Sequence, residues 1–370
     1  MKTVVVEGLS AKLGGGQTYL RSLLEHYRPR EGVRVVALLP PDLADTLSRD
    51  VQVEVSSPAF PSGGPVKRSL WARTRFPALL RELKADVLFC PGGYLSAEGG
   101  GVKTALTFQN MLPFAPRERG RYPLGYNRSR FWLLEKMQRA SIRRADLVIC
   151  ISEYAKGVVD EQVPGRRGGT VVIPHGIDAH FVNAADAPSP LGSGYVLYVS
   201  ILNYYKAQVE VIEAWAELRK RRETREKLVL AGYTGWPYGK DVRRRIAELD
   251  LQDEVVLAGD IPYLELPGWY RHAKLNLFAS SCENCPFILL EAMAAGRATL
   301  SSNYPPMPEL AGSGADYFDP YNPPQLAALL QRYLDDPALR AEMGARALAQ
   351  SRRYTWEHAA TATWDHLIAL

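Results

Sequence analysis

The sequence has few cysteines and no long apolar run. It contains four cysteines among 370 residues, too few for a disulfide framework, which favours a reducing cytoplasm. No stretch approaches the roughly 18 consecutive apolar residues of a membrane-spanning helix. The opening MKTVVVEGLS has only a short apolar run, which Glu7 interrupts, so we expect neither a secretory signal nor an anchor there. These features predict a cytoplasmic protein.

The sequence also lacks the motifs of several catalytic classes. It has no Gly-x-Ser-x-Gly nucleophile elbow, and no Asp-x-Asp motif that would present paired carboxylates to a metal ion. No nucleic-acid recognition motif accompanies its basic residues. We therefore expect no serine nucleophile, no metal and no nucleic-acid partner.

Short β-rich runs alternate with helical patterns along the whole chain. One series extends from VVVEG (4–8) to GTVVIP (169–174), and a second from YVLYVS (195–200) to ATLSS (298–302). This alternation predicts an α/β protein with parallel sheets wrapped by helices. At roughly 100 to 200 residues per domain, the length suggests two domains. The stretch NAADAPSPLGSG (183–194) between the series reads as a linker.

The predicted domains are residues 1–182 and 183–354. The last helical stretch, 355–370, either finishes the second domain or crosses back to the first, and the sequence leaves both arrangements open. Two consecutive doubly wound domains are expected to form a cleft at the carboxyl ends of their strands.

The basic residues concentrate in segment 117–146, RERGRYPLGYNRSRFWLLEKMQRASIRRAD, where tyrosine, phenylalanine and tryptophan lie among the arginines. That mixture suits an anionic membrane surface or a phosphorylated lipid, and a solvated helix face is the alternative. The first interpretation predicts peripheral contact with the inner face of the membrane.

The stretch SSCENCPFILLEAMAAG (280–296) contains a Cys-x-x-Cys pair, Cys282 and Cys285, at the predicted start of a helix. A helix start lowers a thiol pKa, so the position fits redox chemistry. A zinc site has less support, because four ligands are needed and no second paired motif exists. The same helix start suits a diphosphate, since its backbone amides and dipole attract anions.

Two glutamates in this stretch offer a different explanation. Glu283 lies in the loop before the predicted helix, and Glu291 lies one to two turns inside it. At roughly 1.5 Å per helical residue, their separation approximates the ribose-diphosphate part of a nucleotide. One carboxylate could bind sugar hydroxyls and the other ribose hydroxyls. The alternative is a helix-start acid and an exposed helical residue.

Several stretches resemble a known family. ENCPFILLEAMAAGRATLSS (283–302) followed by PELAGSGADYFDPYNPPQLAALL (308–330) resembles the signature of retaining nucleotide-sugar glycosyltransferases with the GT-B fold, the group 1 or family 4-like enzymes. The resemblance includes KLGGGQTYL (12–20), VIPHGIDAHF (172–181) and YVSILNYYKAQVEVIEAW (198–215), and covers nearly the whole chain. It implies two Rossmann-like domains facing a central cleft. It also implies sugar transfer from a nucleoside-diphosphate sugar to a polysaccharide or lipid-linked saccharide.

The resemblance implies roles for individual residues. The catalytic candidates are Lys206, which would neutralise the diphosphate as the nucleotide leaves, and Glu283, which would lie near the reacting centre. Glu291 would bind the donor ribose. The other donor-binding candidates are Phe287, Ile288, Gly15, Gly16, Ser200 and Gly232, and the acceptor-side candidates are Gln109, Asn110 and His175. The nucleotide sugar would be a co-substrate, with neither a metal nor another cofactor.

Three positions depart from the family pattern. Ser-Ile stands at 200–201 where Gly-Arg or Gly-Thr is usual, and Tyr205 where an arginine often precedes the lysine, so a guanidinium that would grip the diphosphate is not visible. Gln109 and Asn110 stand where a histidine is frequent. Neither can act as a general base, so we expect them to orient hydroxyls. Cys-Pro at 285–286 replaces Phe-Gly.

Three other functions remain open from the sequence. A nucleotide-sugar epimerase of the same architecture would interconvert donors without an acceptor. A sugar-nucleotide-binding partner subunit would bind donor without turnover. A thiol oxidoreductase would depend on Cys282.

Overall fold

The structure, a computed structural model, describes residues 1–9, 11, 14–59, 65–95, 101–182, 191, 194–235 and 237–370. Residues 12 and 13 at the start of the predicted glycine-rich loop lie outside the described residues. The predicted linker 183–194 also lies outside them, apart from its residues 191 and 194.

The chain divides into two compact units, and each contains a parallel sheet. The first unit comprises Met1–Phe114, Ser129–Gly176 and Thr355–Leu370. Its described strands are Lys2–Glu7 (β1), Val33–Leu38 (β2), Glu54–Ser56 (β3), Val87–Cys90 (β4), Lys103–Phe108 (β5), Leu147–Cys150 (β6) and Gly169–Val172 (β7). They pair in the order β3-β2-β1-β4-β5-β6-β7, and every pairing is parallel.

The second unit comprises Ala115–Arg128 and Ile177–Tyr354. Its described strands are Tyr195–Val199 (β8), Lys227–Ala231 (β9), Val255–Gly259 (β10), Leu275–Phe278 (β11), Thr299–Ser302 (β12) and Asp316–Phe318 (β13). They pair in the order β10-β9-β8-β11-β12-β13, again all parallel. The predicted α/β class with two doubly wound sheets is confirmed.

Helices connect the strands of both sheets. In the described part of the chain they are Gly15–Glu25 (α1), Pro41–Ala44 (α2), Pro65–Glu82 (α3), Pro116–Gly120 (α4), Tyr126–Arg144 (α5), Glu153–Gln162 (α6), Ala179–Val182 (α7), Gln208–Arg221 (α8), Tyr238–Glu248 (α9), Leu266–His272 (α10), Phe287–Ala294 (α11), Met307–Ala311 (α12), Pro323–Asp335 (α13), Pro337–Ser351 (α14) and Trp356–Ala369 (α15). Short 3₁₀ turns cover Leu112–Phe114, Tyr204–Lys206 and Gly312–Gly314.

The central strands form the two cores. Every residue of β4, β6, β8 and β11 is buried, as expected for parallel strands covered by helices on both faces. Strands β4 and β6 therefore read as the continuous apolar runs VLFC and LVIC, whereas β11, LNLF, includes the buried Asn276.

Two segments belong to a unit other than their neighbours in sequence. Residues 115–128, inside the predicted first domain 1–182, cluster with the second unit. Helix α15 packs on the first unit, where Trp364 Nε1 donates to the Leu23 carbonyl oxygen at 3.1 Å and the Trp364 ring meets the Tyr27 ring edge-on. Each unit is thus built from separate pieces of sequence.

Candidate functional site

The site candidates of the second unit lie beyond the ends of β8, β9 and β11. β11 ends at Phe278, and α11 begins at Phe287 after a short loop. Lys206 ends the 3₁₀ turn that follows β8. The sheet order has its switch point between β8 and β11, so the loops that follow these two strands lie side by side at one edge of the sheet.

Lys206 and Glu283 form a buried ion pair in these loops. Lys206 Nζ donates to Glu283 Oε1 at 2.5 Å, and Ser280 Oγ donates to the same oxygen at 2.6 Å. The two side chains of the pair are 5% and 14% exposed. Because little water screens it, a charge held here acts more strongly on a developing anion than it would in solution.

Hydrogen bonds fix the backbone around Lys206. Asn203 Oδ1 accepts from the Tyr204 amide at 2.8 Å and caps the 3₁₀ turn. The Tyr198 hydroxyl donates to the Lys206 carbonyl oxygen at 2.7 Å. Ala207 follows with a φ of 54° and turns the chain into α8. The 3₁₀ turn therefore fixes the backbone position from which the Lys206 side chain extends.

Ser200 and Gly232 are neighbours at the ends of β8 and β9. Gly232 has a φ of 135°, and a Cβ there would lie 2.3 Å from the Ser200 carbonyl oxygen, so the position needs glycine. Ser200 is buried, and its Oγ accepts from Gln208 Nε2 at 2.7 Å. These contacts give both residues a packing role, and their donor-binding role stays a prediction.

Glu291 lies inside α11 and is 5% exposed. The Tyr263 hydroxyl donates to its Oε1 at 3.4 Å. Burial raises the pKa of Glu291 to about 8, the Tyr263 hydrogen bond lowers it, and the charge of Asp178 raises it further. The predicted alternative, an exposed helical residue, is therefore wrong. A buried carboxyl with a single weak donor has spare capacity for further donors.

Phe287 and Ile288 form the first turn of α11 and are half-buried. Pro286 is the N-cap and provides no side-chain cap, and the first amides of a helix have no acceptor within it. Gly296, with a φ of 67°, follows the end of the helix. The helix start predicted from the sequence is present, and its phosphate contacts stay a prediction.

The two cysteines of the loop are buried. Cys282 and Cys285 are each 6% exposed, and neither forms a disulfide bond. Burial raises the pKa of the Cys282 thiol well above its usual value, and the nearby Glu283 carboxylate acts in the same direction. A reactive thiol needs the opposite shift. The environment of Cys282 therefore disfavours thiol redox chemistry.

In the first unit, the glycine-rich loop lies near Gln109, one of the two polar acceptor-side candidates. Gly15 and Gly16 begin α1, and a Cβ on Gly16 would lie 4.0 Å from Gln109 Oε1. Gln109 Nε2 donates to the Pro91 carbonyl oxygen at 2.8 Å. Asn110 is exposed and accepts from the amide two residues further on. Gln109 is held by the backbone, whereas Asn110 is open to solvent.

His175 lies in an aromatic cluster of the first unit. Its ring centroid is 5.0 Å from that of Tyr19 and 5.9 Å from that of Trp356. The Tyr19 hydroxyl lies 3.1 Å from Thr107 Oγ1. Burial lowers the pKa of His175 to about 3. The imidazole is therefore neutral at physiological pH.

Sequence reasoning missed Ser280, Tyr263 and Tyr321. The first two touch Glu283 and Glu291, and the Tyr321 hydroxyl lies 2.7 Å from Ser281 Oγ. A hydroxyl three residues before Glu283 was a readable signal. The two tyrosines lie 28 and 40 residues from their partners, and no short-range pattern reveals such contacts.

A separate cavity of about 350 Å³ lies near the N-termini of α8 and α9. Three guanidinium groups, three carboxylates and two tyrosine rings contribute to its lining. Tyr204 contributes, whereas Lys206 and Glu283 do not. The cavity therefore adjoins the Lys206 turn without containing the ion pair.

Two features are absent from the described residues. No group of three or more His, Cys, Asp and Glu side chains there is arranged to hold a metal ion. Within the same residues, no helix combines the length and apolar character that crossing a bilayer demands.

Several solved structures share the fold of this chain. Sucrose-phosphate synthase from Thermosynechococcus elongatus superposes with a TM-score of 0.76 at 19% identity, covering 100% of both chains. HepE from Anabaena, solved in complex with UDP-glucose, superposes with a TM-score of 0.73 at 17% identity, also over 100% of both chains. Together with the two doubly wound sheets, these likenesses define a GT-B fold.

Sequence relatives identify the family. The sequence model for Glycosyl transferases group 1 matches residues 183–350, and that for Glycosyltransferase Family 4 matches residues 13–181. O-antigen chain mannosyltransferase B of Escherichia coli is 25% identical over 80% of this chain and 76% of its own length. A second relative, the serotype-specific mannosyltransferase WbdA of E. coli, is 27% identical over 70% of this chain. The chain spans about a third of the length of that relative. The chain belongs to the group 1 glycosyltransferases, which confirms this part of the prediction, and the retaining mechanism stays a prediction.

Proposed function

We propose that the protein transfers a hexosyl group from a nucleoside-diphosphate sugar to a saccharide acceptor, with retention of anomeric configuration and without a metal ion. The observation that carries this proposal is the buried Lys206–Glu283 pair beside the start of α11, with the buried carboxyl of Glu291 inside that helix. The second unit would bind the donor and the first unit the acceptor.

In the proposed complex the donor's parts match the parts of this site. Glu291 accepts hydrogen bonds from the ribose hydroxyls, and the first amides of α11 near Phe287 and Ile288 hold the diphosphate. Lys206 neutralises the charge that develops on the leaving phosphate, as a metal ion does in other transferases. Gly15 and Gly16, which lack a Cβ, would contact the donor through their backbone. Ser200 and Gly232 shape the floor of the donor site.

The proposed reaction needs no covalent intermediate. Glu283 already accepts from Lys206 and Ser280 through one oxygen, which suits a carboxylate that orients sugar hydroxyls. The bond from the anomeric carbon to phosphate breaks, and the acceptor oxygen bonds to the same face. The acceptor proton passes to the departing phosphate. Gln109, Asn110 and the neutral imidazole of His175 would orient acceptor hydroxyls.

The names of the relatives support the proposed acceptor class. The E. coli relatives are named as mannosyltransferases, one of them for the O-antigen chain. A polysaccharide or lipid-linked saccharide acceptor, and synthesis in the cytoplasm at a membrane surface, would suit this chain.

The face of α5 supports peripheral membrane contact. Trp132, Leu133 and Met137 are 53%, 53% and 44% exposed on this helix, and Lys136 Nζ lies 3.6 Å from the Trp132 ring centroid. Exposed aromatic and aliphatic side chains among basic residues favour an anionic bilayer surface. Tyr122, which lies in the predicted segment 117–146, is buried and therefore cannot contribute to a membrane-binding surface.

A transfer assay tests the enzymatic proposal. Wild-type protein is incubated with UDP-, GDP-, ADP- and dTDP-hexoses and an oligosaccharide acceptor, and NMR of the product reports the anomeric configuration. We expect one donor to be used with retention, and Lys206→Ala and Glu291→Ala to abolish most transfer. Lys274→Ala is the matched control, because it breaks a different ion pair, that with the buried Glu226.

The outcomes of this assay separate the functions. Undiminished transfer by both the Lys206 and Glu291 variants would overturn the proposed site. Donor interconversion without an acceptor would indicate an epimerase, and donor binding without turnover a partner subunit.

Vesicle flotation tests the membrane contact. We expect wild-type protein to float with anionic vesicles and less with zwitterionic ones, and raised salt to weaken binding. Joint Trp132→Ser and Leu133→Ser substitution should abolish flotation. Leu264→Ser, which removes a 79% exposed leucine elsewhere, should not, and equal effects of both changes would refute the contact.

A further inference from the structure

Both loops that carry the Lys206–Glu283 pair contact one short segment from far earlier in the sequence. This segment, residues 115–122, includes α4 and clusters with the second unit. We call it the clamp segment. It contributes two buried side chains, Glu118 at 3% and Tyr122 at 5% exposure. Burial of a carboxylate costs free energy unless hydrogen-bond or ion-pair partners compensate for the lost water.

The first arm of the clamp segment reaches the loop of Glu283. The Tyr321 hydroxyl donates to Glu118 Oε2 at 2.8 Å and lies 2.7 Å from Ser281 Oγ. The Ser281 amide donates to the Tyr205 carbonyl oxygen at 2.8 Å. Ser281 directly follows Ser280, the hydroxyl that donates to Glu283. Glu118 therefore holds the loop through one tyrosine.

The ring of Tyr321 is also held from the clamp segment. The guanidinium carbons of Arg117 and Arg121 lie 4.9 and 4.6 Å from its centroid. Arg121 in turn forms an ion pair with Glu210 in the first turn of α8. Cations over an aromatic face restrict its position, and burial raises the pKa of Tyr321, so its hydroxyl stays protonated as a donor.

The second arm reaches the turn of Lys206. The Tyr122 hydroxyl donates to Asn203 Oδ1 at 2.6 Å, and Asn203 Oδ1 also accepts from the Tyr204 amide that begins the 3₁₀ turn. The rings of Tyr122 and Tyr204 meet edge-on with centroids 5.0 Å apart. Lys206 ends this turn, so its backbone is anchored through Asn203 to the clamp segment.

We infer that the clamp segment aligns Lys206 with Glu283, and that Glu118, Tyr122 and Tyr321 are positioning residues for this pair. Hydrogen bonds link the clamp segment to both loops. Movement of one loop relative to the other therefore breaks one of these hydrogen bonds. The catalytic role of this alignment rests on the proposed function, whereas the hydrogen bonds of the clamp segment are present in the protein without substrate.

The test uses tyrosine-to-phenylalanine variants, which remove one hydroxyl each. Tyr321→Phe and Tyr122→Phe cut the two arms separately. Tyr333→Phe is the matched control, because Tyr333 is fully buried in the same unit and donates to the carboxylate of Asp316 at 2.7 Å. A general loss of stability would affect all three variants alike.

The first readout is the alkylation rate of Cys282, followed by peptide mapping in substrate-free protein. Cys282 lies next to Glu283 and is buried, so it reacts only when the loop opens. Loss of one hydrogen bond to a charged group is expected to raise that opening equilibrium by about tenfold. We expect this increase for Tyr321→Phe but not for Tyr333→Phe, with the buried Cys150 of the other unit as internal reference.

The second readout is the transfer reaction. We expect Tyr321→Phe and Tyr122→Phe to lower kcat by about tenfold with little change in the donor KM, because alignment is lost while no donor contact is removed. Equal Cys282 labelling and equal kcat in Tyr321→Phe, Tyr122→Phe and Tyr333→Phe would overturn the clamp. Absence of transfer by the wild type would instead overturn the proposed function, and the labelling would still decide the clamp.

Discussion

Replacing Glu291 by glutamine is expected to change how stability depends on pH. The pKa of Glu291 is about 8 in the folded protein, against 4.5 for an ordinary glutamate. The folded state therefore keeps the proton over a pH range in which the unfolded chain releases it. The resulting stability is fully present below about pH 4.5 and is lost as the pH rises through about 8. Glutamine stays neutral at every pH, so the variant lacks this dependence.

The size of the effect follows from the pKa difference. One pKa unit corresponds to about 1.4 kcal/mol, so between about pH 5 and pH 8 the contribution of Glu291 falls by roughly 3 to 4 kcal/mol. For a unit of this size, 1 kcal/mol changes the melting temperature by about 2–4 °C. Between about pH 5 and pH 8, the melting temperature of the wild type should therefore fall by roughly 6–16 °C relative to that of Glu291→Gln.

Thermal unfolding at a series of pH values measures this difference. Glu265→Gln, at an exposed glutamate of the same unit, is the control and should follow the wild type. A bound nucleotide whose ribose hydroxyls donate to Glu291 should reduce the pH dependence, because such bonds favour the carboxylate. Parallel melting curves for wild type and Glu291→Gln would refute the reasoning.

Three further predictions concern the same unit. Lys206→Met should lower the free energy of unfolding by about 3 kcal/mol, because Glu283 then lacks its ion-pair partner. Adding Glu283→Gln should restore part of that loss. Additive losses in denaturant titrations would contradict this expectation. Gly232→Ala should destabilise far more than Gly259→Ala, since a Cβ meets a carbonyl oxygen at 2.3 Å in the first case and nothing within 4 Å in the second; equal melting temperatures would refute it. Cys282→Ala should keep transfer within about twofold, and a large loss would revive thiol chemistry.

The sequence predicted most strands because the buried strands of a parallel sheet are continuous apolar runs. It missed β3 and β13, which are edge strands of three residues, too short for any periodicity to be read. Residues 117–128 form part of the predicted basic segment 117–146, and four arginines within these twelve residues are typical of a solvated surface. Burial of Glu118 depends on Tyr321, 203 residues away.

The site was predictable only in part, for a similar reason. The order of Glu283 and Glu291 around a helix start follows from local sequence, and the structure has this arrangement. That Lys206 reaches Glu283 depends on which strands are adjacent in the sheet, and that Glu291 contacts Tyr263, 28 residues away, depends on the tertiary fold. The roles of these residues in donor binding and catalysis stay predictions.

The return of helix α15 to the first unit has a consequence for biosynthesis. Strands β1 to β7 precede the second unit in the chain, but the helix that covers Leu23 and Tyr27 follows it. Vectorial folding therefore cannot complete the first unit before the whole second unit has been synthesised. Until then an apolar face of the nascent chain stays uncovered, which makes it a substrate for chaperones. A stop codon before residue 355 would release a chain that keeps Lys206 and Glu283 but has an unfinished first unit.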